Sequence, residues 1–72
     1  MSAKKEWGHK IYKSGDELYT LDFPHCRLEI RYVEYNGEYY VAMYEPDYGR
    51  MAKYLGSFSN LEQAKKKAEN NI

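Results

Sequence analysis

Two histidines, one cysteine and a scatter of carboxylates are the side chains here whose types could drive a reaction. His25 and Cys26 are neighbours in sequence. In a strand they point to opposite faces, so they cannot act as a nucleophile and its base. His9 belongs to another segment, and no spacing brings it to either. A metal centre needs about three or four ligands at workable spacing, which one cysteine and two separated histidines do not supply, so neither a metal nor a cofactor is expected. Gly8, Gly15, Gly37, Gly49 and Gly56 stand singly, without the clustering of a phosphate-cradling loop. Glu29, Glu34, Glu38 and Glu45 read as strand-face or hairpin-end charges rather than general acids. The sequence therefore predicts a chain with no catalytic constellation and no small-molecule substrate.

Tyrosine is the residue type in excess. Nine of the 72 residues are Tyr (Tyr12, Tyr19, Tyr32, Tyr35, Tyr39, Tyr40, Tyr44, Tyr48 and Tyr54), against two Phe and one Trp. A buried phenol must find a partner for its hydroxyl, and a core this small cannot hide nine of them. Several must lie at the surface, where tyrosine gives a large rigid contact area at low entropic cost. High β-propensity on half-buried strands is the competing explanation for any single tyrosine. The cluster as a whole points to recognition.

Charge bounds the choice of partner. Eleven Lys plus Arg balance eleven Asp plus Glu, a formal net charge of zero. Duplex-DNA binders usually carry a basic excess, because phosphate neutralisation supplies much of their affinity. The lone Cys26 allows no internal disulfide, which suits a reducing compartment. No apolar run approaches the roughly 20 residues that cross a bilayer, and Met1 to Glu6 lacks the apolar stretch of a leader. The expectation is a cytoplasmic single domain over residues 1–72, with residues 1–5 as a disordered tail and no membrane partner.

The elements that position these side chains follow from pattern. Glu6 to Tyr12 reads as a short strand anchored by Trp7, Lys13 to Glu17 as a turn, and Leu18 to Leu21 as a second strand. Phe23-Pro24 is expected to interrupt the ladder, since proline has no N–H to donate. Arg27 to Glu34 alternates apolar and charged residues, the period of a half-buried strand. Asn36-Gly37 then predicts a two-residue type I′ turn, with Glu38 to Glu45 returning as the partner strand. That turn would set Arg31 opposite Ala42, Val33 opposite Tyr40 and Ile30 opposite Met43. Pro46 to Arg50 reads as a turn and Met51 to Ser57 as a further strand. Ser59 is the expected N-cap of a closing helix, in a capping box with Glu62. Leu61, Ala64, Ala68 and Ile72 form that helix's apolar stripe, with the lysine run mostly off it. The predicted fold class is α+β: an antiparallel sheet of three main strands plus a short N-terminal hairpin, packed on one C-terminal helix.

The alternation sorts side chains into two faces. Leu28, Ile30, Tyr32, Tyr39, Val41 and Met43 form one apolar enough to be the core. Glu29, Arg31, Val33, Tyr40, Ala42 and Tyr44 form the other, assigned to solvent or a partner. With Tyr54 from the next strand and Tyr48 at the rim, the candidate partner-binding set is Arg31, Val33, Tyr40, Tyr44, Tyr48 and Tyr54.

From Asn36 to Glu69 the chain resembles a three-stranded sheet on a helix, the plan of the DNA-binding domain of plant Apetala/ethylene-response factors. The related arm-binding domains of phage and transposon integrases share it. The resemblance is carried by Gly37-Glu38-Tyr39-Tyr40-Val41-Ala42-Met43-Tyr44-Glu45-Pro46 and by Tyr54-Leu55-Gly56-Ser57-Phe58 before the Leu61 to Ala64 helix start. It implies a sheet face that enters the major groove. Of the matched positions Arg31, Tyr40, Ala42, Tyr44 and Tyr54, only Arg31 keeps the family's chemistry. A face without further arginines lacks bidentate guanine readout, worth about 1–3 kcal/mol per contact. The resemblance thus implies the plan of a small phage or mobile-element protein, with its base-reading residues replaced.

Two functions follow as expectations. In the first, the chain is a non-enzymatic module of phage type, accessory or inhibitory, that binds a host protein or a protein–nucleic-acid complex such as a defence nuclease through the tyrosine face. Tyrosine and arginine are enriched among interface hot spots. In the second, the same face binds nucleic acid, its tyrosines stacking on unpaired bases while Arg27, Arg31, Arg50 and Lys53 contact the backbone. Either a monomer or a homodimer is compatible with this pattern.

Overall fold

The computed structural model describes residues 6–45 and 50–71. Its centre is the hairpin of β3 (Cys26–Val33) and β4 (Glu38–Tyr44), whose alternation buries Leu28, Ile30 and Val41 completely. Removing each such side chain from water stabilises the fold by about 1.5–3 kcal/mol. Around this hairpin lie β1 (Gly8–Ile11), β2 (Glu17–Phe23) and β5 (Met51–Phe58), giving a five-stranded antiparallel meander in the order β1-β2-β3-β4-β5. Among the described residues there is one helix, α1 (Leu61–Glu69), which follows β5. The class is α+β, an antiparallel sheet with one C-terminal helix.

The helix lies over β3, β4 and β5. Ala64 and Ala68 are fully buried beneath it, and their small side chains let it approach the strands closely. Half-buried Leu55, Phe58, Leu61, Tyr39 and Met43 complete the packing, while Trp7 and Phe23 seal the flank under β1 and β2. Trp7 Nε1 donates to Glu69 Oε2 at 3.0 Å, tying the start of the sheet to the last turn of the helix. Lys66 and Lys67 sit in that last turn, where positive charge suits the helix dipole.

Three sequence expectations need correction. Pro24 does not interrupt the ladder. Pro24 and His25 form a tight turn, and β2 pairs with β3 from Glu17↔Tyr32 to Phe23↔Cys26, so the N-terminal hairpin is continuous with the main sheet. Nor is the β3–β4 turn a two-residue type I′. That turn needs positive φ at two positions, yet among the described residues only Gly15, Gly37 and Gly56 have positive φ. The loop runs from Glu34 to Gly37, closed by Gly37 N–H donating to the Val33 carbonyl at 2.8 Å. The register becomes Arg31↔Tyr40, Ile30↔Val41 and Glu29↔Ala42. Finally, Asn60 rather than Ser59 caps the helix, its Oδ1 accepting from Gln63 N–H at 3.2 Å. The expected tail at residues 1–5, all of the expected turn at residues 46–50 but Arg50, and the stripe residue Ile72 fall outside the described residues.

Candidate binding face

The register shift of two residues preserves sidedness, because side chains alternate with period two. Tyr40 and Tyr44 therefore do lie on the face away from α1, opposite Arg31 and Arg27. Leu28, Ile30, Tyr39, Val41 and Met43 face the helix side. Tyr32 shares that side, its ring 4.7 Å from the Tyr39 ring.

Strand pairing extends the outer face across all five strands. One row reads Lys10, Leu18, Arg31, Tyr40 and Ser57; the next reads Gly8, Thr20, Glu29, Ala42 and Tyr54. A third holds Asp22, Arg27, Tyr44 and Met51. Bulges between Val41 and Ala42 and between Met43 and Tyr44 re-aim β5. They turn Leu55 into the core while Tyr54 and Met51 stay outside, 52% and 53% exposed. Without the first bulge, Tyr54 could not sit beside Ala42 while Leu55 and Phe58 both reach the helix side.

Ala42 is the low point of this face. It is 6% exposed, with Tyr40 and Tyr44 two residues away on either side along β4 and Tyr54 across from it. Three tyrosines thus stand around one small residue. Tyr40 is steadied by Asn36, whose Nδ2 donates to its hydroxyl at 2.7 Å.

Charges on the outer face cancel. Its strands carry Lys10, Arg27 and Arg31 against Asp22, Glu29 and Glu38. Arg27 Nε meets Asp22 Oδ1 at 3.0 Å, and its Nη1 lies 3.7 Å from Glu29 Oε2. Among the described residues Arg31 makes no ion pair.

The expected site residues are only partly assembled. Arg31, Val33, Tyr40, Tyr44 and Tyr54 share the outer face, and Tyr48 lies outside the described residues. Of the cations expected to contact a nucleic-acid backbone, Arg27 is engaged by carboxylates. Lys53 pairs with Met43 on the helix side, away from the tyrosines. Arg50 is exposed at the end of the β4–β5 connection, where its carbonyl accepts from Glu45 N–H at 2.8 Å. Sequence reasoning missed Leu18, Thr20 and Met51 as members of the face. The alternation of Leu18, Thr20 and Asp22 would have revealed the first two, had the ladder been carried through Pro24.

A second cluster, also missed, lies on the helix side of β1 and β2, at the edge of the core that α1 covers. His9 Nε2–H donates to Glu17 Oε1 at 2.7 Å, and the Tyr19 hydroxyl donates to the same oxygen at 2.6 Å. The two donors hold the Glu17 carboxyl below its ordinary range, Tyr19 contributing most. Burial, and then this hydrogen bond, push the Tyr19 hydroxyl far above the ordinary phenol range. Both donors converge on one carboxylate oxygen, an arrangement that fastens β1 to β2. Cys26 is buried under the helix side, and burial raises its thiol pKa, the reverse of an activated nucleophile.

Among the described residues no group of three or more His, Cys, Asp or Glu is placed to hold a metal ion, and no helix is long and apolar enough to cross a membrane. Comparison with protein-family models, curated proteins and solved structures returned no match.

Proposed function

We propose that this domain is a non-enzymatic binding module that engages a protein partner through the outer face of its sheet. One observation carries the reading: a whole sheet face, uncovered by the only helix of the described residues, presents Tyr40, Tyr44 and Tyr54 around Ala42. Tyrosine rings held by strand backbones are preorganised, so binding orders little that is not already ordered. Leu18, Val33 and Met51 widen the apolar area, and Arg31 adds a charged anchor. The balanced charge of the face favours a protein over a polyanion. The module acts by occupying a surface of its target, as an accessory or inhibitory factor of phage type does when it blocks a host protein or protein–nucleic-acid complex.

The double variant Tyr40→Ala, Tyr44→Ala tests this. It is expected to lose capture of the partner from native host extract while melting close to the parent. If it unfolds instead, the tyrosines belong to the structural core and the reading fails. Titration into single- and double-stranded oligonucleotides at low and moderate salt is expected to give no tight binding. Tight, salt-sensitive binding would move the assignment to nucleic acid.

A further inference from the structure

The two central rows of the outer face complement each other. In β3, Arg31 of one row sits two residues from Glu29 of the next. In β4, the large Tyr40 is followed at the same spacing by the small, nearly buried Ala42. In β5, the small Ser57 belongs to the Tyr40 row and the large, exposed Tyr54 to the Ala42 row. Each of these strands therefore offers opposite charge, or large against small, across the same line.

That pattern has a symmetry consequence. Consider a two-fold axis lying against the face, perpendicular to the strands and midway between the two rows. It brings every strand over its own copy with the direction reversed. Arg31 then meets Glu29 of the second copy, Tyr40 settles over the second Ala42, and Tyr54 over the second Ser57, each contact made twice. Isologous interfaces require such self-complementarity, and two facing sheets about 10 Å apart form an ordinary sandwich. The zero charge balance of the face removes the repulsion that would oppose two copies meeting.

We propose that two copies of this domain pack outer face to outer face about this axis, forming a β-sandwich dimer with the helices on the outside. The proposal rests on the reading of the outer face as the contact surface and names its first occupant, a second copy. A heterologous partner then binds by displacing that copy.

Sedimentation of the purified protein between about 1 μM and 1 mM, where weak and moderate dimers dissociate, tests it. A reversible monomer–dimer equilibrium is expected. Across the axis in β3, Glu29→Arg sets an arginine against Arg31 of the other copy, and Arg31→Glu sets a glutamate against Glu29, so each variant alone is expected to dimerise at least tenfold more weakly. Mixed in equal amounts they restore the opposite charges, and dimer is expected to return. A parent that stays monomeric, or variants that dimerise as well as the parent through a sheet edge, would overturn the proposal. Should a variant fail to fold, isotope-filtered nuclear Overhauser contacts in the parent decide. Contact between the Tyr40 ring of one copy and the Ala42 methyl of the other is expected, and its absence from a populated dimer overturns the packing. The two readings fail separately. A monomer whose partner binding still depends on Tyr40 and Tyr44 removes the dimer and leaves the binding face intact.

Discussion

The His9 ring lies flat on the Tyr19 ring, with centroids 4.2 Å apart and planes within 8°, and both side chains donate to one oxygen of Glu17. This contact explains how a four-residue strand with every residue exposed stays in the sheet. The helix does not reach β1, so its attachment depends on its ladder with β2, on this stack and on the Trp7–Glu69 bond. Lys65 from the helix also approaches this ring, its Nζ 5.7 Å from the Tyr19 ring centre. The helix side of the β1–β2 hairpin is thus covered by side chains rather than by an element. That leaves the outer face as the large uncovered surface of the described residues.

Acid should loosen this fastening through Glu17. Its folded-state pKa lies below the ordinary value of 4.5, so its contribution is fully present above that value. The contribution fades as pH falls through the lower folded value. Urea unfolding from pH 7 to pH 2.5 is expected to show the parent ahead of Glu17→Gln at neutral pH, with the gap closing below about 4.5. A gap independent of pH would mean that the charge of Glu17 is not what matters.

Alkali acts through Tyr19 with the opposite sign. Its folded-state pKa is raised above the ordinary value of 10.0, first by burial and then by the Glu17 hydrogen bond. Its contribution is therefore complete below that value and is lost as pH rises through the folded one. Phenolate absorbance during alkaline titration is expected to show a late phase that coincides with unfolding. Tyr19→Phe should shrink that phase by one phenol, leaving the contribution of Tyr39, whose hydroxyl pKa burial also raises. An undiminished phase would place the late-ionising hydroxyl elsewhere.

The sidedness of the central hairpin was legible in the sequence, though its register was not. Alternation from Arg27 to Glu34 fixes which residues share a face, and a slip of two residues leaves that partition intact. The loop departs from the expected turn although Asn36-Gly37 fits a type I′ turn locally. In the fold Asn36 instead uses its side chain, accepting from Glu38 N–H at 3.1 Å and donating to Tyr40. Pro24 departs from expectation because it sits in the β2–β3 turn. A missing N–H interrupts a strand interior but is harmless in a hairpin turn. The Tyr54 position depended on a bulge at Leu55 and Gly56, where Gly56 takes φ 125°, a conformation that no apolar–polar pattern encodes. The His9–Glu17–Tyr19 contact was invisible because it needs the β1–β2 register, which an irregular loop from Tyr12 to Asp16 sets.

Capping separates two serviceable residues. Asn60→Ala removes the Oδ1 that accepts from Gln63 N–H and is expected to destabilise the domain by about 1 kcal/mol. Ser59→Ala should change stability by less than about 0.5 kcal/mol, because Ser59 does not cap the helix. Urea midpoints measured side by side decide between them, and the reverse order would return the cap to Ser59.

Trp7→Phe keeps much of the apolar contact under the hairpin while deleting the indole N–H bonded to Glu69. A loss of about 0.5–1.5 kcal/mol is expected, the net worth of a typical intramolecular hydrogen bond. Glu69→Gln retains an acceptor and should lose less. If Trp7→Phe is silent, the N-terminal segment is held by the β1–β2 ladder and the His9 stack alone.

Tyr39 and Tyr54 give the sharpest test of sidedness, because they carry the same side chain on opposite faces. Tyr39 packs against the core, and burial raises its hydroxyl pKa, whereas Tyr54 stands 52% exposed beside Ala42. Truncating Tyr39 to alanine empties space under the helix and is expected to cost about 2–4 kcal/mol, somewhat less than a fully buried aromatic. Truncating Tyr54 should cost less than about 1 kcal/mol, since its ring has little to pack against within one copy. Partner binding, or dimerisation, should respond the other way: Tyr54→Ala weakens it, while any folded population of Tyr39→Ala retains it. Equal destabilisation by the two changes would mean that the sheet has no free face, and the surface proposed for recognition would not exist.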